Sequence, residues 1–276
     1  NPSPFPLIVA FVAYFMYANG KKQRQAHNML FDTGSGSSGN PYAKLYDEEA
    51  GVLYPGQSNM DASVRNGFLR KVYGVLSVQL LATLAVSTLF MFTNLRDGIV
   101  ASPGLQIVLG IAPLILLCPL YAYRNQHPTN LVLLGIWTLG IAVSVGMACT
   151  VYSAVVVLEA LVLTAAVTTS LTLYTFHANR QGQDMGFLGP MLFSALLMLC
   201  LWGFIQIFVP IGPAWHTAYA LGGAFVFSGY IIYDTNEMIR RYDVDEWVWA
   251  VVNLYLDIIN LFLRLLEILQ ALKGRD

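Results

Sequence analysis

Charge is what this sequence has least of. Only 11% of its 276 residues are Asp, Glu, Lys or Arg, against about a quarter in soluble domains, so a water-facing globule is excluded. The net charge of −1 leaves no basic field for nucleic acid. Cysteine is scarce too. Cys118, Cys149 and Cys200 all sit inside apolar runs without paired spacing, which excludes a disulfide framework or zinc site and leaves small buried hydrophobes. The four histidines (His27, His127, His177, His216) have no metal-ligand spacing and read as loop or span-edge residues. No glycine-rich phosphate loop appears. The Gly-x-Gly-Asp of a membrane aspartyl protease is missing as well, because Ile232-Tyr233 precedes Asp234 and Tyr255-Leu256 precedes Asp257. An enzyme is therefore not expected, and no cofactor is implied.

What fills the space is hydrocarbon. Hydrophobic residues make up 56% of the chain, and the mean hydropathy is +0.58. A bilayer core needs about 20 apolar residues per helix, and seven runs qualify: 72–92, 105–123, 131–152, 154–176, 187–209, 217–239 and 247–272. Short connections with helix-stopping signals join them, such as Ser102-Pro103-Gly104 and His127-Pro128. The expected fold is an all-α membrane protein, a seven-helix transmembrane bundle over 67–276 with the lipid bilayer as its solvent. Arg124, Arg180, Arg240 and Arg241 follow the even-numbered spans, while only Arg96 follows the others before the last. Arg65, Arg70 and Lys71 precede the first span, so that side is expected to be cytosolic. Lys273 and Arg275 at the other side run against the rule, which a re-entrant last helix would resolve.

Residues 1–20 are apolar, and 5–17 form a candidate extra span, crowded by prolines at its start and followed by Lys21, Lys22 and Arg24. That charge order argues against a secretory signal. Residues 21–66, with the run DTGSGSSGNP, read as a flexible linker.

Within the spans, charge costs about 2.5–3.5 kcal/mol per residue at the helix centre, so each charged group needs a reason. In the last span the polar residues are Asn253, Asp257, Asn260, Arg264 and Glu267. Their spacing of four, three, four and three places all five on one helical face. Lipid cannot satisfy such a seam. Interhelical hydrogen bonds and a mutual ion pair account for Asn253, Asn260, Arg264 and Glu267, with Asn253 and Asn260 also candidates to line an ion pathway; Asp257 has no cation within a turn. Asp234 is roughly 7 Å from the cytosolic end of span six, and Asp257 roughly 15 Å along span seven from that same end. A tight turn makes the two helices an antiparallel hairpin, so the carboxylates can meet, share a proton and titrate as a coupled pair. Glu159, nearer the opposite face, completes a candidate ladder of acids for a cation or proton.

The segments YIIYDTNEMI, NLYLDIINLFLRLL, VVVLEALVLTAAVTTSLTLYTF, APLILLCPLY and FLGPMLF resemble the Bax inhibitor motif-containing transmembrane family, specifically its Lifeguard branch. The resemblance covers about 66–272. It implies a seven-helix fold with the last helix at the centre, and a pH-sensitive calcium leak gated by two buried aspartates, which match Asp234 and Asp257. It also implies a cell-death-suppressing role in endoplasmic reticulum, Golgi or plasma membrane, with the mitochondrial inner membrane as an alternative. Calcium would be the transported ion, held transiently by Asp234 and Asp257. Two departures stand out: the span-two glutamate of bacterial relatives is missing from LGIAPLILL, and the arginine that latches one aspartate has only Arg124 as a candidate. The second reading is a non-conducting membrane interaction protein, or an accessory subunit of a larger membrane complex, to which the extra N-terminal segment would lend itself.

Overall fold

Apolar runs become helices almost residue for residue. A computed structural model describes residues 62–100, 102–208 and 212–274; the N-terminal segment and most of the linker lie outside them. The helices are α1 (Ala62–Phe92), α2 (Leu95–Val100), α3 (Pro103–Ala122), α4 (Thr129–Cys149), α5 (Ala154–Arg180), α6 (Leu188–Phe208), α7 (Pro213–Arg240) and α8 (Trp247–Lys273), with a 3-10 turn at Val244–Glu246. No strand occurs among the described residues. Helix α1 starts ahead of its apolar run, so the last residues read as linker are helical. The short α2 went unread because six residues carry too little periodicity to register.

Five helices, α1, α4, α5, α6 and α8, are long and apolar enough to cross a membrane. Helices α3 and α7 reach 20 and 28 residues, but α7 ends in the polar run DTNEMIR. The ends follow local chemistry. Pro103 and Pro213 open α3 and α7, where a missing N–H costs nothing. The Ser153 hydroxyl accepts from the Val156 N–H at the start of α5, satisfying one orphan donor. Gly182, at φ 80°, takes the left-handed turn that lets the chain leave α5.

Helix α8 is the axis. It packs against α7, α5, α1 and α4, and 83% of its most apolar window is buried, against 17% for α6. The expectation of a central last helix is met, and α6 lies on the lipid side. Over 27 residues α8 covers about 40 Å, and its last turn reaches α5 through a Lys273–Glu159 ion pair. It therefore traverses the bundle and does not turn back. Lipid tails are as apolar as the core, so packing and polar contacts hold such helices together. Small residues bring them close: a Cβ at Gly229 would lie 2.6 Å from Leu192, and one at Gly146 would lie 3.1 Å from Phe90. Trp137 on α4 meets Tyr255 on α8 edge-on, with ring centroids 5.5 Å apart.

Candidate functional site

The antiparallel hairpin of α7 and α8 brings the two aspartates together. Asp234 and Asp257 are both buried, and their carboxyls lie close enough to act on each other. Ionised carboxylates only accept, so a hydrogen bond between the two requires a proton on the pair. Tyr230 and Tyr242 lie within electrostatic reach of both acids. Among the described residues, no arginine or lysine is one of the groups that act on the two acids; the neighbours are phenols.

The rest of the seam is built from oriented amides. Asn253 donates its Nδ2 to the Tyr242 hydroxyl at 2.9 Å, and Asn260 donates its own to the Leu256 carbonyl one turn back at 2.8 Å. Each amide is tied by its nitrogen, which leaves its oxygen free to accept. The Asn253 Oδ1, Asp257 Oδ2 and Asn260 Oδ1 atoms are all buried without a hydrogen-bond partner. Buried polar atoms are seldom left so, and others among the described residues, such as Gln79 Oε1 and Asn130 Oδ1, lie on other helices. The three on α8, spaced four and three residues apart on one face, make a row of hard oxygen acceptors about 10 Å long.

The remaining expected groups sit elsewhere. Arg264 and Glu267 pair with each other at 2.7 Å, and the Arg264 guanidinium lies over the Tyr219 ring at 4.6 Å. Glu159 lies apart from the aspartates: it is half-exposed at the opposite end of the bundle, in its ion pair with Lys273 at 2.7 Å. Depth along a helix was legible from the sequence, but its azimuth was not. Arg124 folds back on Tyr121, 4.5 Å from the ring, and donates to that residue's carbonyl. The structure does not bring it to the aspartates. Among the described residues, no three His, Cys, Asp or Glu side chains gather as a metal cage.

One cluster escaped sequence reasoning. Beside the aspartates, at the arginine-rich end, Asn236 is fully buried. Its Oδ1 accepts from Asn179 at 3.0 Å and from the Met185 N–H at 3.2 Å, and its Nδ2 donates to Asp184 at 2.9 Å. Arg240 donates to Asn179 and, at 2.8 Å, to the Gln183 carbonyl. Arg241 bridges Asp184 at 2.8 Å and also pairs with Glu237. Together they clasp the α5–α6 loop to the last turns of α7. Burial works against the charge on Asp184, but hydrogen bonds from Asn236 and the Gly186 N–H, with Arg241 and Arg240 nearby, outweigh it. They hold that loop carboxyl below the usual carboxylate range. The partners are some fifty to sixty residues apart in sequence, so only the polar run DTNE inside an otherwise apolar helix could have signalled them.

A second uncharged stripe lies across α8. Gln79 on α1 donates to Thr138 on α4 at 2.6 Å, and Thr83 meets the Tyr255 hydroxyl at 2.7 Å. These bonds are interhelical glue of the ordinary kind.

The family model described as "Inhibitor of apoptosis-promoting Bax1" matches residues 65–274. The chain is 46% identical to the "BI1-like protein" of Arabidopsis thaliana, covering 82% of this chain and 91% of that one. It is 48% identical to "Protein LIFEGUARD 4" of the same plant, over 79% and 90% of the two chains. It is also 41% identical to the "Golgi anti-apoptotic protein" of Vaccinia virus (strain Lister), over 78% and 91%.

Proposed function

This chain belongs to the family of inhibitors of apoptosis-promoting Bax1, and from that premise we propose that it is a pH-sensitive calcium leak of an internal membrane. The observation that carries the reading is the buried Asp234–Asp257 pair standing in the row of unpartnered oxygens from Asn253 to Asn260. Calcium favours hard oxygen ligands, carboxylate and amide carbonyl alike. Two carboxyls and two amide oxygens fall short of its usual six to eight ligands, so the row suits an ion in passage, still partly hydrated, better than a resident one.

Proton and cation compete for the same oxygens. With one proton the carboxyls bond to each other and offer a single negative charge. With none, two like charges repel at close range in a low-dielectric site and offer a divalent ion its best ligands. Acidification therefore changes both the charge on the pair and the contact between α7 and α8. The arginine-rich end is cytosolic on this reading, and the compartment is Golgi or endoplasmic reticulum. A steady leak lowers the calcium load of such a store, which connects transport to cell-death suppression.

The test is calcium efflux from liposomes containing only the purified chain, at about pH 8 and about pH 6. Wild type should release calcium at a pH-dependent rate, and Asp257→Asn should change that rate by at least about tenfold. Efflux no faster than from empty liposomes, together with a stoichiometric partner in mild detergent, would favour the non-conducting accessory role.

A further inference from the structure

We infer that Arg264 is the far-end gate of the α7–α8 seam and sets its resistance to cations. The inference rests on the seam being a cation path. Arg264 lies on the same face of α8 as the oxygen row, one turn beyond Asn260 and seven residues, about 10 Å, beyond Asp257. It is buried. A cation leaving the Asn260 oxygen toward the end opposite the clasp would first meet the guanidinium end of the Arg264–Glu267 ion pair, and the nearer, positive end of a fixed pair in a narrow low-dielectric passage repels cations.

The structure seats this charge deliberately. Glu267, one turn further out, holds the guanidinium at 2.7 Å, and the Tyr219 ring of α7 covers it at 4.6 Å. Arginine tolerates such a place because its delocalised, weakly hydrated charge stacks on aromatic faces. The seat also needs Gly223. A Cβ there would lie 2.8 Å from the Arg264 Cδ and 3.0 Å from its Cγ, so any larger residue displaces the side chain. Glu267 is more exposed than Arg264, with side-chain values of 37% and 8%. A guanidinium that swings outward therefore keeps its carboxylate partner while it clears the seam. A pair built only to neutralise charge would not need a glycine on the neighbouring helix to hold it over the row.

Two variants test this from different directions, in liposomes containing the full chain with calcium as the probe. Arg264→Gln removes the charge and should raise calcium efflux about tenfold. Gly223→Ala keeps the charge but fills its seat, and should raise efflux severalfold. Arg264→Lys, which keeps a charge without the planar stack, should give a smaller rise than Arg264→Gln. Thermal unfolding of each variant separates gating from misfolding, and Gly223→Ala carries the test should Arg264→Gln fail to fold. If Arg264→Gln and Gly223→Ala both conduct at the wild-type rate while Asp257→Asn alters it, the gate assignment is overturned and the leak stands. If wild type does not conduct, the leak itself is wrong and the gate falls with it.

Discussion

Two polar regions share helix α7 and follow opposite rules. In the clasp at its end, Asn236 satisfies both ends of its amide, and Asp184, Arg240 and Arg241 are each bonded to a neighbouring element. Beside it, the seam, whose oxygens lie on α8 opposite Asp234, keeps three buried oxygens in a row without a partner. A satisfied buried network fixes one conformation, whereas an unsatisfied one is costly unless something else completes it. Under the proposed function, the clasp is structure and the seam is the site. Fixing the end of α7 holds Asp234 opposite Asp257 without neutralising either.

The contrast breaks most sharply if stability and transport respond together. Asn236→Leu strands the donors and acceptors of Asn179, Asp184 and Met185, and should cost about 2 kcal/mol of stability, read as a lower Tm in detergent. Its efflux should keep its dependence on pH. Asn260→Leu removes an unpartnered oxygen and one donor bond, from its Nδ2 to the Leu256 carbonyl, so it should cost only about 1 kcal/mol or less. Calcium efflux in that variant should fall about threefold, through loss of one ligand in the row. A large Tm loss in Asn260→Leu with unchanged efflux would make the seam a second clasp.

How far the sequence carried this contrast differs between its two halves. The seam was legible, because a period of four and three in an apolar helix fixes a face whatever surrounds it. The approach of Asp234 to Asp257 was also legible, since a tight turn leaves antiparallel helices little choice of register; that they act as a pair is the proposal. Glu159 lies toward the opposite end as its depth indicated, but its ion pair with Lys273 was not legible, because hydropathy gives depth and not direction. The clasp stayed hidden for a different reason. Asn179, Asp184 and Asn236 sit at the ends of spans, where polar residues normally face water, and only tertiary packing buries Asn236 completely.

The smallest expected effect concerns Asp184. Its folded pKa is depressed, so the stability it contributes is fully present above the unfolded value of about 3.9 and is lost only as pH falls through the lower folded value. Between about pH 8 and about pH 6 this carboxyl does not titrate. Asp184→Asn should then lower the Tm slightly and leave the pH profile of efflux unchanged. A flattened profile in that variant would move the pH sensor from the seam to the loop.

The central claim is that Asp234 and Asp257 act as one proton-sharing unit. Its most direct measurement is the ratio of calcium efflux at about pH 8 to that at about pH 6, in wild type, Asp234→Asn, Asp257→Asn and the double variant. Coupled carboxyls predict that either single change removes most of the pH response, and that the double variant loses little more. If each single variant kept half of the response and the losses simply added in the double, the carboxyls would be titrating separately and the claim would be contradicted.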